Sequence, residues 1–137
     1  MEDHAVLVIQ WNGKCLFVKR SMQKKHLPGA WAFASGTVED GESLEDTAKR
    51  EAVEEFGVQV RPVRVFAKYE LEEVSIRLHF VLCELVSGEP EVKDPTEAEQ
   101  LAWLSMKDFF AKYQDDQIGH GLRWLRANPD VWRNVGL

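Results

Sequence analysis

The chain has 137 residues, of which 45% are apolar and 29% charged, a mix that one compact domain spanning 1–137 can bury and that lies far from the composition of disordered chains. A formal net charge of −6 argues against a nucleic-acid partner, which needs a basic surface to meet phosphate. No stretch approaches the roughly 20 apolar residues of a membrane span, and the opening MEDHAVLVIQW has neither a basic n-region nor a small-residue cleavage site, so a cytoplasmic protein with a small-molecule ligand is expected.

HAVLVIQ and CLFVKR flank WNGK, and Asn-Gly between two β-rich runs predicts an antiparallel hairpin. SMQKKHLPGA reads as a loop through Pro28 and Gly29, and WAFAS as one short strand leading to Gly36. A helix is expected from Ser43 to Phe56, with Ser43 as N-cap, Asp46 as its capping-box partner and Gly57 as the stop. VRPVRVFAKYELEE and VSIRLHFVLCELVSG alternate with period two, which sets Val74, Ile76, Leu78, Phe80 and Leu82 on one face of a second strand pair. EPEVKDPTEAEQ has the proline and acid content of a loop, LAWLS is a last short strand, and Ser105 opens one or two amphipathic helices whose Phe109, Phe110, Leu122, Trp124 and Leu125 are packing residues. Cys15 and Cys83 stand alone in apolar runs, with no CxxC pair to hold zinc, and read as buried reduced thiols. The order ββ-β-α-ββ-β-α predicts an α/β fold with a mixed β-sheet between helices.

The segment from Gly36 to Val58 gathers eight carboxylates against Lys49 and Arg50. On its helix Glu51, Glu54 and Glu55 stand at i, i+3 and i+4, so they crowd one face beside an apolar one expected to bury Ala48, Ala52, Val53 and Phe56. Like charges at that spacing cost an isolated helix about 0.2–0.5 kcal/mol per pair. A hard divalent cation offsets the repulsion, because Mg²⁺ takes oxygen ligands from one or two carboxylates plus substrate phosphates. Three helical glutamates taken alone are more often a solvated face.

The whole segment, however, resembles the signature of the Nudix hydrolases: Gly36, Glu42, Arg50, Glu51, Ala52, Glu54, Glu55, Gly57 and Val58 occupy its positions in order and spacing. Seven fixed identities match by chance at about one starting point in 10⁸, given typical residue usage. Two departures stand out: Ala52 is smaller than the usual aliphatic, and Ala34-Ser35 replace the Pro-Gly of a Phe-Pro-Gly-Gly run.

The resemblance implies an α/β/α sandwich and hydrolysis of a phosphoanhydride. It implies Mg²⁺, with Mn²⁺ able to substitute, on Glu54 and Glu55, on the backbone carbonyl of Ser35, and on Glu51 or Glu97 as further ligands. Glu51 is the candidate general base, with Glu97, six residues before Trp103, as the loop alternative and Glu99 behind it. Arg50 is expected to orient a neighbouring glutamate, Glu42 to tie the loop to the helix, and Gly36 and Gly57 to serve backbone conformation. Arg20, at the end of the second strand, is a phosphate-contact candidate, with Lys24, Lys25 and His26 in the following loop. Phe33 or Trp31 could stack a base, with Asp115, Asp116 or Gln117 reading its edge, although core packing is the more usual job of both aromatics.

The size is similar to that of MutT-type pyrophosphohydrolases, which makes a free or modified nucleoside triphosphate, cleaved to monophosphate and pyrophosphate, the lead substrate. ADP-ribose, nucleotide sugars and dinucleotides are the alternatives, although the Pro or Tyr that often marks such members is absent near Val74 and Ser75. An isopentenyl-diphosphate isomerase would need a cysteine where Ala34-Ser35 stand, and a non-catalytic nucleotide sensor would be expected to lack some of the glutamates. A homodimer is left open.

Overall fold

The computed structural model describes residues 1–137. β1 (Glu2–Trp11) and β2 (Lys14–Arg20) form the expected hairpin, turned by Asn12 at φ 52° and Gly13 at φ 77°, the pair of left-handed residues that a two-residue turn between twisted strands requires. β1 then runs parallel to β6 (Ile76–Ser87), in register from Glu2↔Ile76 to Gln10↔Glu84. β5 (Gln59–Leu71) closes that side of the sheet antiparallel to β6.

On its other edge β1 changes neighbours along its length. It meets β2 only at Gln10↔Cys15 and Trp11↔Lys14, whereas its first half pairs with β4 (Ser35–Thr37) through His4↔Thr37, Ala5↔Gly36 and Val6↔Ser35. β2 swings away to pair with β3 (Trp31–Ala32) on one side and β7 (Ala98–Leu104) on the other. WAFAS is therefore two strands instead of one: Phe33 and Ala34 carry the chain across the split from β2 to β1, and a cleft opens between the two diverging strands.

α1 (Leu44–Phe56) covers one face of the sheet. The Ser43 hydroxyl accepts from the Asp46 amide at 3.0 Å, and Gly57 ends the helix at φ 69°, which any L side chain would resist. Ala48, Ala52 and Phe56 bury against Ala5, Leu7, Ile9, Val81 and Cys83. Val53, expected on that face, is 53% exposed, since one step beyond Ala52 rotates a side chain by about 100°.

The opposite face is covered by α2 (Met106–Lys112), α3 (His120–Ala127) and α4 (Pro129–Arg133). Its core is aromatic, with Phe17 stacked on Phe33 and Phe109 at centroid distances of 4.9 and 3.9 Å. Leu78, Phe80 and Leu82 point into it. Val74 does not join them: the chain turns through a short 3-10 segment at Glu72–Val74, ended by Ser75 at φ 54°, so Val74 is 51% exposed. Helices thus flank a mixed sheet on both sides. No helix is long and apolar enough to cross a membrane.

Candidate active site

Arg50 organises the acidic segment. Its Nε and Nη2 donate to the two Glu42 oxygens at 2.8 and 3.0 Å, its Nη1 to Glu51 Oε1 at 2.9 Å and Glu54 Oε2 at 3.1 Å, and Nη2 also to the Thr37 carbonyl at 3.0 Å. One guanidinium fork therefore fastens β4, the following loop and α1 together. Glu42 also accepts from the Glu39 amide and the Thr47 hydroxyl. Arg50 first, then the Glu39 amide, hold its carboxyl down to about 2.

Glu51 is 8% exposed and packs directly on Gly36, where a Cβ would fall 2.1 Å from Glu51 Cδ. A side chain at position 36 would push the Glu51 carboxylate out of this place. Burial raises the Glu51 pKa, with Arg50 opposing. Oε1 is claimed by Arg50, which leaves Oε2 as the oxygen without a donor.

Glu55 is half-buried and has no hydrogen-bond donor; burial raises its pKa, and Glu51, Glu97 and Asp94 push it the same way against Lys24. Lys24 is itself engaged, its Nζ lying 2.6 Å from Glu97 Oε2. Glu55 and Glu97 line a cavity of about 260 Å³ together with Arg20, Lys24, Phe33, Ser35 and Gly36. Glu54, by contrast, is exposed, held by Arg50 and outside this cavity. Glu99 pairs with Lys19 at 3.0 Å and lies outside it too.

The ladder between β1 and β4 supplies a further oxygen. Leu7 donates to the Ala34 carbonyl and Val38 to the Asp3 carbonyl, so with the observed register the alternation of an antiparallel pair turns the carbonyls of Ser35 and Thr37 away from β1. Arg50 takes that of Thr37. The Ser35 carbonyl is turned away from β1 in the same way, on a residue that lines the cavity.

No three carboxylate, histidine or cysteine side chains converge as a ready-made cage. Magnesium does not demand one, since it keeps several waters and shares its sphere with substrate phosphates. What the residues offer is hard oxygen: Glu51 Oε2, Glu55, Glu97 and the Ser35 carbonyl, around a half-buried carboxylate without a cation of its own. That set of hard oxygen donors fits Mg²⁺ or Mn²⁺.

A second, larger chamber of about 490 Å³ continues from the first, sharing His4, Arg20, Ala32, Phe33 and Ser35 with it. Arg20 stands at the junction as expected, but its Nε and Nη2 donate to the His26 carbonyl at 3.1 and 2.9 Å, so it also pins the loop after β2. Phe33 lines both cavities. Trp31 does not: it packs on Tyr113 and, with Asp116 and Gln117, borders a separate hollow, while Asp115 pairs with Arg126. The proposed readers of a base edge are thus apart from the cleft that holds Phe33. His4, not singled out from sequence, sits at the junction, with its Nε2 2.6 Å from Glu2 Oε1; its alternation with Val6 and Val8 on β1 was the available signal.

A family model, the NUDIX domain, matches residues 1–125. An uncharacterized Nudix hydrolase of Yersinia pestis is 29% identical over 129 residues, covering 91% of this chain and 71% of its own. The nucleoside triphosphatase NudI of Escherichia coli is 31% identical over 114 residues, covering 74% of this chain and 79% of its own. A crystal structure of a MutT Nudix hydrolase from Burkholderia pseudomallei has the same fold, with a TM-score of 0.75 at 22% identity over 89% of this chain and 92% of that one.

Proposed function

The chain belongs to the Nudix hydrolase family, and from that premise we propose that it hydrolyses a phosphoanhydride bond of a nucleoside triphosphate, with Mg²⁺ or Mn²⁺, to give the monophosphate and pyrophosphate. The observation that supports this is that Glu55 and Glu97 line one cleft with Ser35 and with Gly36, on which Glu51 packs, and that Glu55 has no donor while burial and neighbouring carboxylates raise its pKa. The likeness to NudI supports the triphosphate class.

When bound, the metal ion neutralises phosphoryl charge and lowers the pKa of water. Glu51, Glu55, Glu97 and the Ser35 carbonyl are the groups that would hold it, with Glu54 able to join if it leaves Arg50. Water adds to one phosphorus of the anhydride, the bridging P–O bond breaks, and the proton released from water passes to Glu51 Oε2, the oxygen that Arg50 does not occupy. Arg50 keeps Glu51 in place from its far side and does not touch substrate. Glu97 is the second candidate base, although its ion pair with Lys24 must loosen first. Arg20, through the N–H groups not spent on His26, and Lys24 meet the phosphate oxygens.

A panel of nucleoside triphosphates, nucleotide sugars, ADP-ribose and dinucleotides, each with Mg²⁺ and with chelator, tests this. Metal-dependent release of pyrophosphate and monophosphate is the expected result. A clear preference for a diphosphate-linked compound would replace the triphosphate reading with that alternative.

A further inference from the structure

The larger chamber of the cleft is closed by aliphatic side chains, among them Leu27, Leu71, Ile76, Leu78 and Leu122. No carboxylate and no carboxamide lines it, yet these are the groups that pair with the donor and acceptor pattern of adenine and cytosine edges. Its Lys25, His26 and His120 side chains are exposed and belong to the rim. Of the inner polar groups, His4 is held by Glu2, Arg20 keeps for the phosphates the N–H groups not spent on the His26 carbonyl, and Ser35 stands where the chamber joins the smaller cavity.

Stacking is no better served. Phe33, 7% exposed, has one face on Phe17 and so leaves the chamber no more than the other, and Phe80 is fully buried against Trp124 and Phe66. Leu27, on the chamber wall, stands in an uncommon backbone conformation. Its φ of 47° lies in the left-handed region that aliphatic residues rarely adopt, and a strained backbone persists where surrounding structure imposes it.

We propose that this chamber selects the organic group of the substrate by apolar fit and not by reading a base edge, so that base identity is discriminated weakly and polar base edges count against a substrate. The inference rests on the triphosphatase reading and names how its site chooses. A natural base entering the chamber leaves donors and acceptors unpaired, whereas a group of the same shape without them does not.

The test compares dTTP with the triphosphate whose thymine is replaced by its difluorotoluene isostere, which keeps the shape and cannot pair, on the wild-type protein with Mg²⁺. The isostere is expected to reach a kcat/KM about tenfold higher, as the loss of unpaired polar atoms predicts. Higher turnover of the isostere upholds the proposal, and equal turnover or a preference for dTTP overturns it while leaving triphosphate hydrolysis standing. If neither is cleaved, the triphosphatase reading fails and this inference with it. Val74→Asn, at an exposed position on the chamber wall, places a carboxamide there without disturbing the core. It is expected to shift the ratio towards dTTP by about threefold or more, and an unchanged ratio would show that selection happens elsewhere and overturn the assignment of the chamber.

Discussion

The two faces of the sheet are put together in opposite ways. On the α1 face every group that Arg50 holds, the Thr37 carbonyl, Glu42, Glu51 and Glu54, lies within the segment from Gly36 to Val58. On the other face the chamber draws its wall from β1 at Val6, from the loop at Leu27, from the β5–β6 turn and from the start of α3 at Leu122. The helix carboxylates and the fork that holds them are specified by local sequence, whereas Glu97, Arg20 and Lys24, like the space that receives the organic group, are brought in by topology. The two cavities meet at His4, Arg20, Ala32, Phe33 and Ser35, where β1 and β2 part company.

If that division is functional, substitutions on the two faces should fail differently. Glu55→Gln is expected to lower kcat about 10³-fold or more, because it removes an oxygen charge from the cation end of the cleft. Its apo form should melt no lower than wild type, since the Glu55 carboxylate has no donor to lose and sheds repulsion from Glu51, Glu97 and Asp94. Ile76→Ala should raise KM several-fold with kcat within about threefold, as expected for loss of binding felt equally in ground and transition states. Steady-state kinetics and thermal melts on both variants decide it. A kcat collapse in Ile76→Ala would abolish the division.

Arg50→Lys probes the join within the α1 face. Lysine keeps the charge but cannot span Glu42, Glu51 and the Thr37 carbonyl at once. A fall in kcat of about 10–100-fold and a lower melting temperature are expected, with KM little changed. Full activity in this variant would mean that charge alone, and not the fork, holds Glu51.

The same contrast explains what could be read from the sequence. Ser43, Gly57, Asn12 and Gly13 act on their own neighbours, so the helix ends and the hairpin were legible from residue type. The carboxylate set was legible because a single helix carries Glu51, Glu54 and Glu55 at fixed spacing; that Glu54 turns to Arg50 while Glu97 takes a place beside Glu55 depends on where the loop before β7 lands. The break of WAFAS into two strands was not legible, because Phe33 and Ala34 look like strand residues whichever neighbour they serve. Nor was the chamber, whose residues are separated by tens of positions and join only through the parallel β1–β6 pairing.

Acid should loosen the α1 face through Glu42. Its folded pKa is depressed to about 2, below the ordinary carboxyl value, so the stability it contributes is complete above about pH 4.5 and fades as pH falls towards 2. Denaturant melts at pH 6, 4.5 and 3 should show this loss in the wild type and a shallower one in Glu42→Gln. Parallel acid profiles for the two proteins would mean that Glu42 is not part of the tie between loop and helix.

The smallest expected effect concerns whether the two faces open separately. Each carries one thiol: Cys15 lies in the aromatic core under α2 and α3, and Cys83 in the core under α1. Burial pushes both up to about 12, so at pH 8 they are neutral as well as inaccessible, and a thiol reagent should label neither in the native protein. The alternation of β1 sends Val6 and Val8 to one core and Ala5, Leu7 and Ile9 to the other, so lifting the helices from either face strips packing from a strand that the second face also needs. Cooperative opening follows. In rising urea, Cys15→Ala and Cys83→Ala proteins, each with one thiol left, should therefore become labelled over the same concentration range. Earlier labelling of Cys83 than of Cys15 would show that the α1 layer detaches by itself, and the contrast between the faces would then extend from how they are specified to how firmly each is held.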